Sequence, residues 1–159
     1  MKKFGAIFSF LLFSLAMVAQ DYKAANEGWL VNLDEAYAIS QKTGKPILAN
    51  FTGSDWCGWC IRLTGAVFSK PEFKSWAEKN VVLLELDFPR SKQLPEMYKT
   101  QNNNMKQALG VQGFPTVWVF KLDKVDNRYN IKTFGNTGYK SSVNEFTSQV
   151  DEIIKAGAK

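Results

Sequence analysis

The sequence predicts an α/β sandwich in which one mixed sheet is flanked by helices. Three observations carry this. Apolar or β-rich runs recur at 46–51 (PILANF), 81–87 (VVLLELD) and 116–120 (TVWVF), separated by segments of helical length. Helix-start signals stand between them: Asn32 with Glu35, Ser69-Lys70-Pro71-Glu72, and Ser142 with Glu145. A turn-forming stretch after the third run then sends the chain back as a hairpin. The order helix, strand, helix, strand, helix, hairpin, helix puts parallel and antiparallel strands into one sheet.

Taken in order, the Asn32/Glu35 box opens a helix to about residue 42, with Leu33, Ala36, Tyr37 and Ser40 inward and Gly44 and Pro46 closing it. PILANF shows apolar residues that continue instead of alternating, the mark of a strand buried on both faces. TGSD (52–55) is a loop, and a helix begins near Cys57 and runs to about Phe68. Pro71 at an early position, with Ser69 and Glu72 as a second box, opens a helix ending near Lys79. VVLLELD is the second strand. Residues 89–104 read as irregular or partly helical, with Asn104 capping a short helix that Gly110 stops. TVWVF pairs with 129–134 around a turn at 123–127. The last helix carries Val143, Phe146, Val150, Ile153 and Ile154.

The first residues are set apart from this pattern. Lys2 and Lys3 precede an uncharged run, 4–20, whose centre is AIFSFLLFSLAMV and which reaches small Ala19. That order predicts a secretory signal peptide at 1–19, leaving a single domain at 20–159 in the periplasm or secreted. The rival is a retained membrane anchor, because the uncharged stretch approaches the roughly 18 residues of a span. Without the two lysines the formal charge falls from +5 to +3. A small, scattered excess of that kind gives no footing for nucleic acid.

Histidine is absent from all 159 residues. This excludes Ser-His and Cys-His catalytic pairs and imidazole ligation of zinc, copper or haem. The sequence therefore points to no metal and no cofactor. Two cysteines remain, Cys57 and Cys60, at the end of a buried strand and the start of a helix. There the free N–H groups and the helix dipole favour an anion, so the first thiol ionises more readily. A fall in pKa from ~8.5 to ~7 raises the thiolate fraction at pH 7 about 16-fold. Lower basicity takes back about fivefold of that gain in nucleophilicity. The remaining advantage lies in leaving-group ability and redox poise, which are properties of an exchange catalyst. The first sulfur is expected to face solvent, with the second one turn on. A structural disulfide and half of a zinc site are the alternatives. A four-residue loop, however, is a poor staple, and no further zinc ligands are signalled.

Asp55-Trp56-Cys57-Gly58-Trp59-Cys60 after a buried strand, with Gly113-Phe114-Pro115-Thr116 before a later one, resembles the thioredoxin superfamily. Within it the pattern is most similar to small exported bacterial thioredoxin-like proteins and to the C-terminal domain of the membrane disulfide-reducing transporter. The resemblance spans residues 32–155. It implies that Cys57 attacks, that Cys60 resolves the mixed disulfide, and that Pro115 follows a cis bond beside the site. Phe114 would pair through its backbone with an extended substrate. The implied partners are disulfide-containing exported proteins and a membrane or soluble redox partner that supplies electrons.

Two positions depart from the family pattern. Trp59 stands where relatives often carry Pro or His, either as an apolar platform for unfolded substrate or as a shield over the sulfurs. Asn50 stands where relatives place a buried acid that moves protons to and from the resolving cysteine. It is expected to be buried within a side-chain length of Cys60, but it cannot ionise. That leaves the role vacant unless Asp55, Glu85 or water fills it. The leading function is an enzyme that reduces or isomerises disulfides in exported proteins. Against it stand a redox-inactive module that holds extended peptides and a dedicated partner of one assembly pathway.

Overall fold

The computed structural model describes residues 22–126 and 128–158. The segment expected to be a signal peptide, 1–19, lies outside them. Five helices and four strands follow the expected order: α1 (Leu33–Thr43), β1 (Ile47–Thr52), α2 (Gly58–Leu63), α3 (Pro71–Asn80), β2 (Val82–Asp87), α4 (Glu96–Ala108), β3 (Thr116–Val125), β4 (Arg128–Thr137) and α5 (Val143–Gly157). The sheet order is β2-β1-β3-β4, with β1 parallel to β2 and antiparallel to β3, and β3 antiparallel to β4.

β1 is central, and all six of its residues are buried, as its unbroken apolar run requires. Its alternate side chains feed two cores. Ile47, Ala49 and Phe51 join Leu33 and Ala36 of α1 and Met105 of α4 on one face. Leu48 joins Leu63, Val67, Phe73, Val117, Phe146 and Val150 on the other, under α2, α3 and α5. The second face holds the cysteines.

The caps explain the boundaries. Asn32 accepts the Glu35 N–H at 3.0 Å, and Gly44 closes α1 with φ 73°, a left-handed conformation that glycine adopts freely. Ser142 accepts the Glu145 N–H at the start of α5, while the Glu145 carboxylate reaches back to Ser141. The Ser69/Glu72 box does not form. Ser69 instead closes a π-helical turn, Thr64–Phe68, that prolongs α2: its N–H donates to Thr64 O and its hydroxyl bonds back to Gly65 O. Lys70 precedes α3 without a side-chain cap, leaving Pro71 to set its first turn.

The largest difference lies at 89–104. α4 begins at Glu96, directly after Pro95, and runs through the three asparagines of QNNN, which are weak helix formers. Tertiary contacts hold it there: Asn102 is buried and donates to Asp87 O at 2.9 Å, and Gln101 bonds Val31 O and the Leu33 N–H. The hairpin turns at Asp126, within the expected 123–127, but its strands are longer than expected, β3 reaching Val125 and β4 reaching Thr137. Its far end is tied to α1 by Asp34, which accepts from Tyr129 and pairs with Lys124. Before α1, Leu30 bridges β2 in parallel at Leu84, which brings the segment preceding α1 to the edge of the sheet.

Candidate active site

The loop after β1 delivers Cys57 to the N-cap of α2. The Cys57 N–H donates to Gly53 O at 2.9 Å, and its backbone is extended, with φ −81° and ψ 103°. Its sulfur accepts the Cys60 N–H at 3.3 Å and is bonded to the Cys60 sulfur, the two Cα atoms lying 5.2 Å apart. Cys57 is 6% exposed and Cys60 3%. The expectation of a solvent-facing first sulfur is therefore not met. Bonding to Cys60 and capping the helix fold the Cys57 side chain onto the helix end, and both cysteines are covered in this oxidised form.

The aromatic neighbours fix the surroundings. Trp56 packs over Gly53 so closely that a Cβ on that glycine would clash with the indole, meeting its Cε2 and, at 2.5 Å, its Nε1. The Trp56 Nε1–H donates to Phe88 O at 2.8 Å, and its ring meets Phe114 edge-on at 6.1 Å. Phe88 stacks on Phe114 at 5.0 Å. Trp56 thus locks the cysteine loop to the segment after β2 and to the loop before β3. In that loop the Phe114–Pro115 bond is cis. Trp59 stands out from the surface at 54% exposure, its ring 5.0 Å from Tyr139.

Behind the disulfide the sheet is polar. Asn50 is buried, and its Oδ1 has no hydrogen-bond partner among the described residues. It lies in register with Glu85, as Thr52 does with Asp87. Alternation from Leu48 places Asn50 and Thr52 on the face that carries α2. A cavity of about 170 Å³ between Asn26, Thr52, Ser54, Ile61 and Thr64 reaches Cys60. Asn50 does not line it. Glu85 is 1% exposed, and its carboxylate accepts from Ala25 N–H, Asn26 N–H and Asn26 Nδ2. Burial pushes its pKa above the ordinary carboxylate value, more than those three donors lower it. Asp87 accepts from the Ser54 N–H and hydroxyl. Asp55 lies outside this layer. Its oxygens accept from the Arg90 and Ser91 N–H groups, which hold it below the usual range.

Reading the sequence missed several contributors. Arg90 stacks on Trp56 and Arg62 on Trp59, the second pair at the i,i+3 spacing of a helix face. That spacing was visible. The Asn26–Glu85 contact, 59 residues apart, was not.

The chain matches the thioredoxin-like domain family over residues 33–131. It is 36% identical over 121 residues to the disulfide bond reductase DsbH of Chlamydia pneumoniae, covering 76% of this chain and 72% of that protein. A solved DsbH oxidoreductase structure superposes with a TM-score of 0.70 at 30% identity, covering 86% of this chain and 92% of the other. A thioredoxin from Thermus thermophilus, at 18% identity and a TM-score of 0.58, covers 81% and 88% of the two chains and shares the fold. With the Cys57–Cys60 disulfide at the head of α2, these likenesses show that the chain belongs to the thioredoxin-like thiol–disulfide oxidoreductases.

Proposed function

We propose that this protein works outside the cytoplasm, periplasmic or secreted after removal of 1–19, as a reductase or isomerase of disulfides in exported proteins. The observation that carries the reading is the position of Cys57: its sulfur caps a helix and takes the Cys60 N–H, the group that would stabilise it as a thiolate. Similarity to a protein named as a disulfide bond reductase supports the reducing direction.

In that reaction the Cys57 thiolate attacks one sulfur of a substrate disulfide and displaces the other as a thiolate. A mixed disulfide links Cys57 to the substrate. The Cys60 thiolate then attacks the Cys57 sulfur, the intramolecular disulfide forms, and the second substrate sulfur leaves. Two electrons pass to the substrate, whose two thiolates take up protons, and the protein is left oxidised. A membrane or soluble thiol partner returns the electrons. Trp59, Phe114 and Pro115 bind the substrate segment, and Asn50 belongs to the proton-handling layer behind Cys60.

Because the two cysteines are almost equally covered, the choice of attacking sulfur rests on thiolate stabilisation and not on access. Cys60→Ser should accumulate the mixed disulfide, seen on non-reducing gels after acid quench, and Cys57→Ser should trap far less. Equal trapping, or more by Cys57→Ser, would overturn the assignment. Full function without either cysteine would favour the peptide-holding module instead.

A further inference from the structure

The surface beside the disulfide is aromatic and, on each aromatic group, cationic. The Arg90 guanidinium carbon lies 3.8 Å from the Trp56 ring centre, and that of Arg62 lies 4.9 Å from Trp59. The Lys106 ammonium is 5.8 Å from both Phe88 and Phe114. None of these three cations forms an ion pair among the described residues. Asp55, the acid next to Trp56, has its oxygens turned to the Arg90 and Ser91 backbone N–H groups. The guanidinium groups of Arg62 and Arg90 are therefore not neutralised by it side chain to side chain.

Stacking on an indole fixes the plane of a guanidinium while leaving its N–H edge outward. That edge is matched to a carboxylate, which it can hold through two parallel hydrogen bonds. Trp56 immediately precedes Cys57 and Trp59 immediately precedes Cys60, so each cysteine follows an indole with an arginine over its ring. A basic rim of this kind also repels cationic segments.

Building on the reading of the site as a disulfide reductase or isomerase, we propose that this rim selects substrate segments in which the target cysteine is flanked by acidic residues. Trp59, 54% exposed, receives the apolar part of the segment. Arg62 and Arg90 receive the carboxylates, and Lys106 adds to the attracting field. The partner is thus an extended, acidic stretch of an exported protein.

The test uses the reduced protein and three synthetic peptides that share one disulfide loop, flanked by glutamates, glutamines or lysines. Rates of disulfide reduction are followed by chromatography at low salt and in 1 M NaCl. An exposed ion pair contributes about 1.4-fold to about fivefold, so two contribute roughly twofold to 25-fold. The expected order is glutamate, then glutamine, then lysine. The glutamate-to-lysine ratio should shrink in 1 M salt, where the screening length is about 3 Å. In Arg62→Glu/Arg90→Glu that ratio should invert, and in Arg62→Gln/Arg90→Gln it should fall towards one. A ratio cancels any general loss of activity in the variants. Equal rates on all three peptides, or a ratio unchanged in both variants, would overturn the proposal while leaving the reductase reading intact. Reduction of none of the peptides would overturn the reductase reading, and the selectivity with it.

Discussion

Glu85 sits in the middle of an apolar strand, and two large effects compete over its charge. Removal from water disfavours the carboxylate. Three N–H donors favour it: Ala25 N–H at 2.6 Å, Asn26 N–H at 3.0 Å and Asn26 Nδ2 at 2.6 Å. Asp87 on the same strand and the Tyr22 phenol on the edge segment act on it electrostatically, and the Asp87 charge adds to the effect of burial. Burial wins, and the folded-state pKa lies above the ordinary value of 4.5.

The informative perturbation is Glu85→Gln, which keeps the shape and removes the titration. One amide oxygen replaces two carboxylate oxygens, so at least one N–H donor is stranded against the new NH₂. At pH 4 this destabilises by about 1–3 kcal/mol. Above that, the unfolded wild-type chain ionises at Glu85 before the folded chain does. The folded state then binds more protons than the unfolded state, and wild-type stability falls with pH. The slope is at most about 1.36 kcal/mol per pH unit, across the window from 4.5 up to the raised folded value. The variant has no such slope. Urea denaturation of both oxidised proteins from pH 4 to 8, at fixed ionic strength, should show their stability difference narrowing as pH rises. A constant difference would mean that the site does not shift the pKa. A widening one would mean that the three hydrogen bonds outweigh burial, and the reasoning would be refuted.

Two further outcomes are expected. Asn50→Asp places a second carboxyl in register with Glu85 on a fully buried strand, so it should titrate above the normal carboxylate range. The rate of exchange measured between pH 5 and 9 should gain an extra ionisation, and an unchanged profile would remove position 50 from proton handling. Gly53→Ala should displace the Trp56 ring, break its bond to Phe88 O, alter the indole fluorescence and destabilise by about 1–3 kcal/mol. Unaltered fluorescence and stability would show that the ring shifts without consequence.

Much of the fold was legible because its signals are local. The Asn32 and Ser142 caps, Gly44 and the unbroken apolar run of β1 each act within a few residues, and each set the element expected of it. The Cys57–Cys60 spacing and the G-F-P-T segment were likewise readable on sight. α4 is longer than its sequence suggests because its middle is held from outside. Asn102, Asn103 and Asn104 look like poor helix formers until the bonds of Asn102 to Asp87 O and of Gln101 to Val31 O are known. Ser69 carries the signature of a cap, but it closes the π-helical turn before it, and such a turn has no sequence signature of its own.

The polar layer behind the cysteines shows where local reading stops. Asn50 stood out as a polar residue in an apolar strand, and Glu85 as an acid in another. Neither strand encodes the register that sets Asn50 beside Glu85 and Thr52 beside Asp87, because parallel strands meet only through the packing of the helices between them. Nor does either strand announce that residues 25–26, nearly sixty positions away, supply the donors that hold Glu85. Side-chain alternation then does the rest. Once β1 and β2 are in register, every second residue of both faces α2, and the acids come to lie on the cysteine side of the sheet. An ionisable group missing from β1 is thus present one strand over. It is bound to Asn26, which itself lines the cavity that reaches Cys60. The chemistry available behind Cys60 is therefore a property of the assembled sheet and not of the motif that announces it.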